Sequence, residues 1–156
     1  MGTRGLFGFR KNGQDKLTYN HYDSDPSGLG MDVVNFCLSR SINELNVICD
    51  KIKLAEEEKA DINSIIECVS GSIMYDYKDF ILNSLHCEFA YIINLDDNTL
   101  EFWLGGQKQP QRGNRYGGLK TESGYYPCKL LSAVSLCYIP ENIEDLMNAF
   151  VKEERK

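Results

Sequence analysis

The segment from Phe89 to Leu104 constrains this chain more than any other. Phe89, Tyr91, Ile93 and Leu95 alternate with Ala90, Ile92 and Asn94. Asp96-Asp97-Asn98-Thr99 then supplies turn residues, and Leu100, Phe102 and Leu104 return opposite Glu101 and Trp103. Alternation with period two on both sides of a turn predicts a β-hairpin. The first strand is apolar on both faces, so a central place in a sheet is expected.

An earlier hairpin is predicted at the N-terminal end. Leu6, Phe7 and Phe9 form a short strand, and Asn12-Gly13 follows. That dipeptide suits a type I′ turn, whose two central residues need positive φ. Leu17 to Tyr22 returns with Leu17, Tyr19 and His21 on one face and Thr18, Asn20 and Tyr22 on the other. Between the hairpins the pattern turns helical. Residues 31–39 form one piece. Ser41 and Glu44 make a capping box ahead of Ile42, Leu45, Cys49 and Ile52, which share one helix face. Asp61 can cap a further helix carrying Ile62, Ile65, Ile66 and Val69, and Tyr77 to Leu85 reads as a short fourth one. Residues 105–127 are rich in Gly, Gln and Arg and read as a long loop. Lys129 to Ile139 favours a strand, and a helix from about Glu141 places Ile143, Leu146, Met147 and Phe150 on one face.

These elements predict one α+β domain spanning residues 1–156, an antiparallel sheet built from two hairpins plus a strand and covered by helices. An αββα sandwich is the alternative. At 156 residues and 42% hydrophobic, the chain can bury a core without covalent staples. The six cysteines include no C-x-x-C pair, so they read as reduced, mostly buried thiols, not as a zinc site. No run approaches the length of a membrane-spanning helix, and no signal-peptide pattern opens the chain. A cytoplasmic protein without membrane attachment is expected. The net charge of −6 argues against nonspecific nucleic-acid binding and leaves a basic protein partner open.

Two constellations could carry chemistry. Arg4, Asn20, His21, Asp23 and Ser24 should converge, because an antiparallel hairpin brings the residues before its first strand to those after its second. Arg4 would hold an anion by paired hydrogen bonds. His21 would move a proton near neutral pH, with Asp23 fixing its tautomer or acting as base. Gly28 and Gly30 would let backbone N–H groups approach a phosphate at the start of the helix beginning near Met31. Arg112, Arg115 and Tyr116 in the long loop would close over the ligand, with the tyrosine stacking on a base. Each group also has a plain structural reading: an Asx turn at Asp23 and Ser24, an edge histidine, a solvated loop. Two histidines are too few for a metal centre, and no metal or cofactor is expected. Cys87 beside His86, or Cys128 after Pro127, is a weaker nucleophile reading, because neighbours on a strand face opposite ways.

The opening Met-Gly-Thr-Arg-Gly and the stretch Tyr19-Asn20-His21-Tyr22-Asp23-Ser24-Asp25-Pro26-Ser27-Gly28-Leu29-Gly30 resemble a group of small phage, prophage and fungal proteins. Members tend to carry Thr-Arg followed by Gly or Ser, then Tyr-x-His-x-Asp-x-x-Pro-x-x-x-Gly. Leu85 to Asp96 resembles the hairpin of some members. The resemblance implies a mobile-element or microbial setting and no mechanism.

Three functions are compatible with this reading. One is binding or hydrolysis of a small anionic or nucleotide-like ligand at the Arg4/His21/Asp23 site, as in a counter-defence protein of a phage. Another is inhibition of a host defence enzyme through an acidic helical surface carrying Glu56, Glu57, Glu58, Asp61 and Glu67. The third is a dimeric structural module, a homo-oligomer built on an open sheet edge.

Overall fold

The computed structural model describes residues 2–56 and 73–156. The helix expected from Asp61 to Val69, Cys68 within it, and most of the acidic run (Glu57, Glu58, Asp61 and Glu67) lie outside the described residues.

Both hairpins form, but the returning strand of the first runs over Gln14–Asn20, not the expected Leu17 to Tyr22. β1 (Gly5–Lys11) and β2 (Gln14–Asn20) pair from Gly5↔Asn20 to Lys11↔Gln14. Their turn has φ of 54° at Asn12 and 71° at Gly13, both positive as the turn requires. Two three-residue strands, β3 (Lys53–Ala55) and β4 (Ile73–Tyr75), run parallel to each other in a separate small sheet. β5 (Phe89–Asn94) and β6 (Thr99–Leu104) form the second hairpin, and every residue of β5 is buried. β7 (Lys129–Ser135) adds antiparallel to β6, giving the order β2-β1-β5-β6-β7.

The sheet departs from the expected antiparallel pattern at one joint: β1 and β5 run parallel, from Gly5↔Phe89 to Arg10↔Asn94. A hairpin can only join successive antiparallel strands. The long connection between β2 and β5 acts as the crossover that a parallel pair needs. It starts β5 at the same end of the sheet as β1, and this brings Arg4 beside Glu88.

That crossover contains α1 (Met31–Leu38) and α2 (Ile42–Lys51). α2 opens on the predicted capping box, with Glu44 N donating to Ser41 Oγ and Ser41 N donating to Glu44 Oε1, each at 3.1 Å. The C-terminal α3 (Ile143–Glu154) joins them. Val33, Phe36, Leu45, Ile143 and Met147 from these helices pack on Phe7, Phe9, Tyr91, Ile93 and Phe102 of one sheet face.

The opposite face, with Leu6, Leu17, Ala90, Ile92 and Trp103, is covered by Ile81, Cys87, Cys128 and the loop residue Tyr116. Ile81 belongs to a single 3₁₀ stretch, Lys78–Leu82. This replaces the predicted fourth helix, because Asn83 leaves helical geometry at φ −111°, ψ 83°. Among the described residues the three α-helices lie on one face of the five-stranded sheet and the 3₁₀ stretch on the other, an α+β fold. No described helix is long and apolar enough to cross a membrane. Cys37, Cys49, Cys87 and Cys128 are buried free thiols, and Cys137 is exposed.

Candidate functional site

Arg4 stands one residue before β1 and His21 one residue after β2, so the hairpin register sets them opposite each other at one end of the sheet. The Tyr19 hydroxyl and His21 Nδ1 share a hydrogen bond of 2.7 Å. Arg4 Nη2 lies 3.1 Å from His86 Nδ1. A guanidinium only donates, so this nitrogen accepts and the His86 ring proton sits on Nε2. The Arg4 backbone is fixed from both sides: its N–H donates to Glu88 Oε2 at 2.6 Å, and its carbonyl accepts from Glu88 N at 3.0 Å. Among the described residues no carboxylate forms an ion pair with the Arg4 guanidinium. Burial pushes the Tyr19 phenol up, against the pull of the nearby Arg4 charge.

Aromatic rings extend from this point. Tyr19 lies 5.2 Å from Tyr77 and 5.3 Å from Phe80, ring centre to ring centre, and Tyr77 lies 5.5 Å from Tyr75. On the other side His21 packs edge-on against exposed Tyr22 at 4.4 Å. Tyr75, Tyr77, Phe80 and Asn83, with Asp76, Lys78 and Asp79, line a groove of about 420 Å³.

The hairpin register sets Arg4 and His21 at the same end of the sheet, where Arg4 bonds to His86 and His21 to Tyr19, which packs on Tyr77. His86 was missed as a partner because its approach to Arg4 depends on the parallel β1–β5 pairing, which no local pattern signals. Among the described residues no group of three or more His, Cys, Asp or Glu side chains is placed to hold a metal ion.

Other expected site residues serve the fold instead. Asp23 forms no hydrogen bond to His21. It sits at φ 52°, and its carbonyl accepts from Leu29 N at 2.8 Å, closing the loop. The imidazole is oriented by Tyr19. Ser24 is fully buried and bonded throughout. Its hydroxyl accepts from Asn20 Nδ2 at 2.8 Å, its N–H donates to Thr3 Oγ1 at 2.7 Å, and its carbonyl accepts from Tyr91 OH at 2.8 Å. Asn20 is thereby committed as well.

Gly28 and Gly30 do not offer their N–H groups to a phosphate. Both donate to the Asp25 carbonyl, at 3.0 and 3.2 Å. Their lack of a side chain answers to packing. A Cβ on Gly28 would lie 2.2 Å from the Asp23 carbonyl oxygen, and one on Gly30 would lie 3.0 Å from the Tyr91 ring.

Arg115 and Tyr116 sit near the other end of β1, over the middle of the sheet. Arg115 is bound to Glu101, and the Tyr116 hydroxyl donates to Asp15 Oδ2 at 2.7 Å. Asp15 pairs across the hairpin with Arg10, six residues along β1 from Arg4, or roughly 20 Å at strand spacing. The two residues are therefore no lid for the Arg4 end. Exposed Arg112 lines a separate pocket of about 520 Å³ with Asp97, Thr99, Gln111 and Lys129. The thiol readings fail on access. Cys87 and Cys128 are both fully buried, and burial pushes the Cys87 thiol well above its usual range.

Comparison with known proteins finds no matching family model, no matching curated protein and no matching solved structure. What the fold defines is an α+β protein whose sheet ends in an arginine, two histidines and a run of aromatic rings.

Proposed function

We propose that this protein binds a small anionic, nucleotide-like ligand at the Arg4 end of the sheet. The observation that carries the reading is the Arg4 guanidinium. Its described side-chain partner is an imidazole nitrogen, and the neighbouring Glu88 carboxylate is engaged by the Arg4 backbone N–H, not by the guanidinium. A guanidinium held this way still has donors for a phosphate or carboxylate. His21 and Tyr19 stand beside it with polar tips. Binding fits better than hydrolysis, because among the described residues no carboxylate hydrogen-bonds either imidazole to make an acid–base pair. In the mobile-element setting that the N-terminal motif suggests, such a binder would act by sequestering a host signalling nucleotide, a counter-defence role.

Calorimetric titration with the common nucleoside monophosphates tests the reading. Removing a charged hydrogen-bonding partner is worth about 1.5–3 kcal/mol, so Arg4→Ala should weaken binding by about tenfold or more. His21→Ala should have a smaller effect, and both variants should still melt cooperatively. An unchanged affinity in Arg4→Ala rejects the site.

A further inference from the structure

The rings beside Arg4 form a continuous run from exposed Tyr22 through His21 and Tyr19 to Tyr77, Phe80 and Tyr75. Tyr77 and Phe80 are only half-buried, and their ring centres are 5.3 Å apart. They wall a groove of about 420 Å³, within the usual range for small-molecule sites. The two rings pack on the core beneath the sheet with one side and leave the other open. These present part of their surface to a groove whose inner wall touches the Tyr19 ring.

The groove carries two carboxylates, Asp76 and Asp79, against one ammonium, Lys78. Asp76 is already bonded to Lys78, through both the ammonium and the backbone N–H. Asp79 is exposed, and among the described residues it has no ion-pair partner. Carboxylates repel a phosphate, so an anionic ligand must place its charged end at Arg4 and a donor-rich, uncharged end in the groove. A flat ring stacks on tyrosine and phenylalanine whatever its sequence identity. A carboxylate then selects rings that present N–H groups, and two adjacent donors match its two oxygens best. Guanine presents such a pair on its pairing edge.

Building on the anion site argued above, we infer that the ligand is a guanine nucleotide, with its phosphate on Arg4, its base against Tyr77 and Phe80, and its donor edge at Asp79. Phosphate alone would use only the first of these contacts, and a sugar phosphate no more than that.

The test is a calorimetric comparison of guanosine monophosphate, adenosine monophosphate, ribose 5-phosphate and inorganic phosphate on the intact chain and on Tyr77→Leu and Asp79→Asn. Guanosine monophosphate should bind about tenfold or more tightly than ribose 5-phosphate. Tyr77→Leu should erase that margin, and Asp79→Asn should erase the preference for guanine over adenine. Asp79 is exposed, so its variant folds and keeps the test decisive even if Tyr77→Leu does not. Equal affinity for ribose 5-phosphate and guanosine monophosphate, lost in Arg4→Ala, overturns the base site and leaves the anion site standing. A preference for adenosine monophosphate overturns the guanine assignment. If no phosphate compound binds, both proposals fall.

Discussion

Arg115 grips Glu101 with two parallel hydrogen bonds, 2.8 Å from Nη1 to Oε2 and 2.7 Å from Nη2 to Oε1. Glu101 is only 3% exposed, in the middle of the sheet. It also accepts from Asn94 Nδ2 at 3.1 Å and from Trp103 Nε1 at 3.2 Å. The guanidinium lies 5.0 Å from the ring centres of both Trp103 and Tyr116. The Gly-rich loop is thereby strapped across a sheet face that would otherwise hold a buried, uncompensated carboxylate. Arg115→Ala should cost about 3–5 kcal/mol in urea unfolding. Replacing both partners, as Arg115→Met with Glu101→Leu, should cost much less. A single-variant cost within the range of a surface ion pair, about 1 kcal/mol or less, would refute the strap.

The same pair predicts a pH dependence. Burial alone would raise the Glu101 carboxyl, but Arg115, Asn94 and Trp103 outweigh it and hold the group below its ordinary value. A depressed carboxyl binds fewer protons when folded than when unfolded. Its contribution is therefore full above the unfolded value of about 4.3 and is lost as pH falls through the folded one. The stability gap between the native chain and Glu101→Gln should be widest near neutrality and should shrink in acid. Urea midpoints measured across pH check this, and a constant gap would contradict it.

Gly28 separates a packing role from a phosphate cradle. An added methyl would meet the Asp23 carbonyl oxygen, which is itself held by Leu29 N. Gly28→Ala should destabilise by about 1–3 kcal/mol, as overpacking does. Nucleotide affinity of the folded protein should not change. A stable variant with lost affinity would restore the cradle.

Thiol accessibility gives an independent check on the fold. Cys37 is buried and pushed up to about 12 by that burial, and Cys49 is raised for the same reason. Thiolates are the reactive form. Peptide mapping after brief alkylation of the native protein should find label on Cys137 and none on Cys37, Cys49, Cys87 or Cys128. Rapid labelling of Cys87 or Cys128 would mean that the loop face is open.

The parts of the fold written in adjacent residues were legible. Asn12-Gly13 marked a turn and Ser41 with Glu44 a cap, while the double-sided apolar run from Phe89 marked the central strand. β3 and β4 were not seen, because three residues carry no period. The parallel β1–β5 joint was also missed, since it depends on a crossover long in sequence, and His86 was missed with it. That Arg4 and His21 flank the same end of the hairpin was legible because a hairpin register is local. Asp23, Ser24 and the glycines were misread because their polar groups and small size suit a ligand and a tight loop equally. Alternation put Glu101 on one face with Trp103, and nothing near it in sequence announced that Arg115 would cover it.

The place where a nucleotide touches the protein decides between the Arg4 end and the Gly-rich loop. Amide and histidine-ring NMR shifts followed during titration with guanosine monophosphate answer this most directly. The prediction is a compact set of changes at Arg4, Tyr19, His21, His86 and Tyr77, with the Arg112–Tyr116 loop still. Changes gathered on that loop, or none at ligand concentrations well above those of a cell, would contradict it.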